Sequence, residues 1–123
     1  MWNVLWVGLG GGAGAVCRYG ISLLPVKVEF PLLTLMTNLL GAILIGVVVG
    51  LADQGMVSPG WHLFWRTGVC GGFTTFSTFS LESWALFQRG NHLLGSMYIL
   101  LSVALCLIGV TLGQWISGQI TRL

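Results

Sequence analysis

Charge is what this sequence has least of: five Lys or Arg and three Asp or Glu among 123 residues, or 7%. A soluble domain carries about 25%, so this chain lacks the charge to cover a water-facing surface. So few cations also argue against a nucleic-acid partner. Acids are too rare for most catalysis. Glu29 and Asp53 fall in loops, no paired carboxylates or Ser/His/Asp arrangement stands out, and both histidines lie near span ends. An enzyme is not expected. Cysteine is sparse as well. Cys17, Cys70 and Cys106 are odd in number, scattered through apolar spans and free of CxxC or His/Cys ligand spacing. That pattern argues against disulfides and metal clusters, and the three read as small packed thiols. The opening MWNVLWVGLGGG lacks the basic n-region of a signal peptide, and it reads as the start of a first transmembrane helix.

What the chain does have is apolar length. Hydrophobic residues make up 55% of it, which identifies an integral membrane protein. Crossing about 30 Å of hydrocarbon takes about 20 helical residues, and four such spans use nearly the whole chain. They fall at about 4–24, 32–51, 61–88 and 93–120, joined by PVKVEFP, ADQGMVSPG and RGNH. One four-helix transmembrane domain is the expectation. The tryptophans lie mostly toward span ends, as an interfacial aromatic belt requires. GLGGGAGA in span one can be forced into a dinucleotide-binding pattern, but no strand precedes it and no acid follows about 20 residues on. It reads instead as small-xxx-small packing, Gly8 with Gly12 and Gly10 with Gly14. Gly46 with Gly50 and Gly109 with Gly113 repeat the spacing, which lets helix backbones approach closely.

Charge by side gives almost no orientation. An even number of spans puts both termini and Asp53 on one side with Arg122 and Arg66, against Arg18, Lys27, Glu29 and Arg89 on the other. Two Lys/Arg against three barely engages the positive-inside rule. Either one loop dominates, or the chain inserts both ways and pairs with an inverted copy.

Polar groups at membrane depth are expensive and usually face a bundle interior or a water-filled cavity. Arg18 either snorkels to the interface or sets the potential of a vestibule. Asn38, in TLMTNLLG, either bonds a neighbouring helix or donates to a permeating ion. The sharpest signal is CGGFTTFSTFS, residues 70–80. Gly costs about 1 kcal/mol inside a helix and Thr is β-branched, so a break is expected near 71–76, with Gly71 and Gly72 unwinding the backbone. Freed backbone groups survive in a membrane only when buried in protein or lining a cavity, and broken helices of this kind build ion sites. Beyond it, Phe76 and Phe79 share one helical face and Ser77 and Ser80 another, while Thr78 and Glu82 stand at i, i+4. Ring edges carry positive charge and so can touch an anion. Tyr98, Ser102, Cys106 and Val110 form a ladder at i+4 on span four whose polarity fades along its length.

Three segments carry a resemblance: GGGAGAVCRYG, TLMTNLLGA and, most specifically, GGFTTFSTFSLE. Over essentially its whole length the chain resembles the small dual-topology fluoride channels of the Fluc/CrcB family. The resemblance implies an all-α integral membrane protein of the cell membrane, with four transmembrane helices and a break in the third. It implies an antiparallel homodimer with two pores that passes fluoride down its gradient and relieves its toxicity. It implies a structural Na+ on the dimer axis, held by the carbonyls of Gly71 and Thr74. It also places Phe76 and Phe79 along the pores, with Asn38, Ser77 and Thr78 as donors, and matches Arg18 and Glu82 to the family's span-one arginine and span-three glutamate. Family members tend to carry hydroxyls along span four. Tyr98 and Ser102 keep that track, whereas Cys106 and Val110 depart from it, so this chain either conducts without them or pairs with a paralogous subunit. Two other readings remain. A dual-topology multidrug-type exporter is similar in length but needs a membrane-embedded acid in span one, which is absent here. A non-conducting membrane subunit would not need hydroxyls and phenylalanines alternating after a broken helix.

Overall fold

The computed structural model describes residues 1–123, all helix and turn with no strand. Helix α1 covers Trp2–Ser22, α2 Leu32–Asp53 and α5 His92–Ile120. Each of these three is long and apolar enough to cross a membrane. Between α2 and α5 the chain forms one bent rod over residues 59–88. Its first half, α3, runs through Pro59–His62, a wide π-helical stretch Leu63–Cys70, and Gly71–Phe73. Its second half, α4, is Phe76–Gln88. Neither half alone reaches the about 20 residues that a bilayer needs.

Local sequence explains the ends. Pro59 opens α3, where a missing N–H is no loss. Gly55 and Gly90 sit in the two tight turns with φ of 73° and 80°, a backbone that residues with a Cβ rarely adopt. Opposite the termini, Asn91 donates from its side-chain amide to Glu29, tying the α1–α2 loop to the α4–α5 turn.

Packing follows the small residues. α1 lies along α3, α2 lies along α5, and α4 rests on α5. A Cβ on Gly113 would collide with Ile43 O and sit 2.8 Å from Val47 N, and one on Gly46 would meet Val110 O. Gly10 and Gly14 meet α3 backbone in the same way, at Phe64 O and Val69 O. Van der Waals contact of this kind replaces the hydrophobic effect, which lipid does not supply. Gly8 and Gly12, by contrast, have nothing within 4 Å of where a Cβ would stand and are uncovered in the single chain. Only one small core cluster forms, Leu35, Leu86 and Tyr98, with Phe30, Phe79, Leu94 and Leu105 packed around it.

Two expectations need correction. Cys17 is exposed and not packed, unlike the buried Cys70 and half-buried Cys106. Gly71 and Gly72 are helical; the extended residues are Thr74 (φ −80°, ψ 158°) and Thr75 (φ −148°, ψ 115°). Gly72 serves contact instead, since a Cβ there would strike Gly11 O of α1.

Candidate functional site around the Thr74–Thr75 link

A chain that leaves the helix inside a membrane must find partners for its backbone groups. Here four side chains supply them. Thr74 closes α3, donating through N–H (3.0 Å) and Oγ1 (2.8 Å) to Cys70 O. Asn38 of α2 grips Thr75 twice: its Oδ1 accepts from Thr75 N–H at 2.8 Å and its Nδ2 donates to Thr75 O at 3.1 Å. In a continuous helix Thr75 N–H would bond to Gly71 O, so Asn38 leaves the Gly71 carbonyl without that partner. Arg18 of α1 donates from Nε to Gly72 O at 3.1 Å. Thr75 then starts α4 as its N-cap. Its Oγ1 accepts from Thr78 N–H at 3.1 Å and lies 2.9 Å from Thr78 Oγ1, the ordinary way in which a threonine satisfies a first-turn donor.

Two cavities flank the link. One, of about 240 Å³, lies between α1, α2 and α4, and polar residues make up most of its lining: Arg18, Ser22, Thr34, Thr37, Thr75, Thr78 and Glu82, with Leu33. Glu82 is held there by two hydroxyls. Thr34 Oγ1 donates to Oε1 at 2.8 Å, and Tyr98 OH donates to Oε2 at 2.8 Å.

The other cavity is a groove of about 390 Å³ between α2, α3, α4 and α5. Asn38, Gly71, Thr74, Thr75, Phe76, Phe79 and Ser102 line it, together with Arg66, Cys70, Cys106, Val110 and smaller apolar residues. The Phe76 and Phe79 rings sit 5.5 Å apart at 44°, and Phe76 is 80% exposed in the single chain. Ser102 Oγ is buried and has no hydrogen-bond partner.

The residues singled out in the sequence therefore divide. Arg18, Thr78 and Glu82 meet in the polar cavity, and Asn38, Gly71, Thr74, Phe76, Phe79 and Ser102 meet in the groove. Ser77 lines neither; it is exposed, its Oγ 3.4 Å from Thr75 Oγ1. Tyr98 lines neither as well. It is fully buried, edge-on to Phe30 (5.4 Å, 83°) and tilted against Phe79 (5.2 Å, 55°), with its hydroxyl on Glu82. Sequence reasoning missed Thr34, which stands one turn before Asn38 and so carried a readable signal.

The chain matches, over residues 5–114, a family described as "CrcB-like protein, Camphor Resistance (CrcB)". Similar proteins include one from Ruminiclostridium cellulolyticum, 46% identical over 100% of this chain and 98% of the relative. Another, from Azobacteroides pseudotrichonymphae, is 43% identical over 90% of this chain and 92% of the relative. A third, from Shewanella piezotolerans, is 46% identical over 91% and 93%. All three are named fluoride-specific ion channel FluC.

Proposed function

This chain belongs to the CrcB-like family, and from that membership we propose that it is a fluoride-specific ion channel, a multi-pass membrane protein that passes fluoride passively and so relieves fluoride toxicity. It is a channel and not an enzyme. One observation carries the reading beyond the relatives' names: a helix interrupted at Thr74–Thr75, flanked on both sides by cavities lined with hydroxyls, an amide and aromatic rings. Moving a small anion from water into a low-dielectric site costs tens of kcal/mol by Born reasoning unless donors replace its hydration. Hydroxyls and ring edges replace it as a relay of weak sites, which lets the ion leave again.

The pathway residues of this proposal are Asn38, Phe76, Ser77, Thr78, Phe79, Tyr98 and Ser102, with Arg18 and Glu82 at a vestibule. The bent rod acts as a third, broken span. The working unit is an antiparallel dimer with two pores, formed with a second copy or a paralogous subunit. Its support is what a single chain leaves open: the groove, the outward Phe76 ring and the bare faces of Gly8 and Gly12.

A structural Na+ at the dimer interface would be held by the carbonyl oxygens of Gly71 and Thr74. The donor set fits, because backbone carbonyls replace the hydration of such an ion and the diverted Thr75 N–H leaves Gly71 O free to bind. A bound cation there raises the local potential for anions.

The test is anion efflux from liposomes reconstituted with the purified chain. Fluoride is expected to leave quickly and chloride to stay. Equal efflux of the two, or none, would sink the channel reading and favour an exporter or a non-conducting subunit.

A further inference from the structure

Arg66 is the one cation on α3, and it lines the groove with Ser102, Cys106 and Val110. No acid lines that groove. Two of the three carboxylates are engaged elsewhere, Glu29 by Asn91 and Glu82 by Thr34 and Tyr98. Arg66 stands eight residues before Thr74 on the bent rod, within its π-helical stretch. This places Arg66 on the terminal side of the link, while Arg18, on Gly72 O, and the polar cavity lie on the loop side.

Ser102 supplies an independent observation. Its residue is 5% exposed, and its hydroxyl has no partner in the chain. A buried hydroxyl left unpaired is destabilising. The residues next along the same face of α5, Cys106 and Val110, offer only a thiol and an isopropyl group.

From these contacts we infer that the groove is the second mouth of the anion path, where Arg66 recruits fluoride from the terminal side and the unpaired Ser102 hydroxyl receives it. The inference rests on the channel reading and deepens it. A lone guanidinium beside low-dielectric walls concentrates anions in the groove, doing through charge what a hydroxyl at position 110 would do through hydrogen bonding. The path then carries one guanidinium on each side of the Thr74–Thr75 link, Arg18 and Arg66. Each attracts the anion without closing a complete cage around it.

The experiment measures initial fluoride efflux from proteoliposomes for the full chain, Arg66→Gln and Arg66→Lys, at low and at high ionic strength. Arg66→Gln is expected to slow efflux about tenfold at low salt. The gap to the full chain is expected to close near 1 M salt, where screening acts within about 3 Å. Arg66→Lys is expected to stay within about twofold of the unsubstituted chain, since a point charge suffices for recruitment. Equal efflux for Arg66→Gln and the unsubstituted chain at low salt overturns the inference. So does a loss that Lys does not rescue or that salt does not alter, because that marks a packing role. Should Arg66→Gln fail to fold, Arg66→Ala is measured in its place: efflux slowed about tenfold at low salt supports recruitment, and unchanged efflux overturns it. If the unsubstituted chain itself passes no fluoride, the channel reading fails, and that outcome is distinct from every Arg66 result.

Discussion

Asn38→Leu is the most informative single change, because it keeps the side-chain volume and removes both polar contacts with Thr75. Leucine cannot accept from Thr75 N–H or donate to Thr75 O, the bonds now at 2.8 and 3.1 Å. Hydrogen bonds between membrane helices contribute about 0.6 kcal/mol on average and up to about 1.7, while an orphaned buried group costs about 1–3 kcal/mol. Asn38 and Thr75 are both half-buried, so the full penalty on both groups is not expected. The expected loss is about 2 kcal/mol, read as the shift in unfolding midpoint when SDS is titrated into detergent-solubilised protein. Asn38→Asp keeps the acceptor but sets a carboxylate oxygen against Thr75 O, and it is expected to be no more stable than Asn38→Leu. The reasoning is refuted if Asn38→Leu unfolds within 0.5 kcal/mol (about the scatter between independent sites) of the unsubstituted chain. If fluoride efflux is nevertheless abolished in that variant, Asn38 acts on the ion and not on the backbone.

Other expectations follow from named contacts. Gly113→Ala would drive a Cβ into Ile43 O and to 2.8 Å from Val47 N; overpacking of this kind costs about 1–3 kcal/mol. A thermal midpoint in detergent equal to that of the unsubstituted chain would contradict the close α2–α5 contact. Tyr98→Phe removes one of the two hydroxyls on Glu82 while leaving the ring against Phe30 and Phe79. Its expected loss is about 0.5–1.5 kcal/mol, the range for a typical hydrogen bond, with slower fluoride efflux. Unchanged stability and efflux together would show that Glu82 needs no such support. Phe79→Ile is expected to slow efflux while size-exclusion elution stays constant, because an aliphatic chain has no positive edge; undiminished efflux would remove the ring-edge argument.

The helical plan was legible because hydropathy alone dictates it: apolar runs of this length must bond their own backbone in lipid. The interruption near residues 70–80 was legible too, but its chemistry was misassigned. Two adjacent glycines in CGGFTTFSTFS draw the eye as breakers, yet Gly72 is held helical against Gly11 O of α1. Unwinding falls to Thr74 and Thr75, where Asn38, 37 residues away in sequence, takes over the amide that α3 releases. Glu82 was opaque for the same reason. Its partners Thr34 and Tyr98 lie 48 and 16 residues distant, on helices whose register against α4 no single sequence encodes locally. The tryptophans show a third case. Trp84 and Trp115 face outward as belt residues do, but Trp6 also stacks on Trp61 at 5.5 Å and so helps clamp α1 to α3.

Planar-bilayer recording tests the central claim most directly, with fluoride gradients set across the reconstituted protein in a chloride background. The account predicts a current whose reversal potential follows the fluoride Nernst potential and does not move when the chloride gradient is inverted. A reversal potential that follows chloride, or the absence of any current above protein-free membranes, would contradict it.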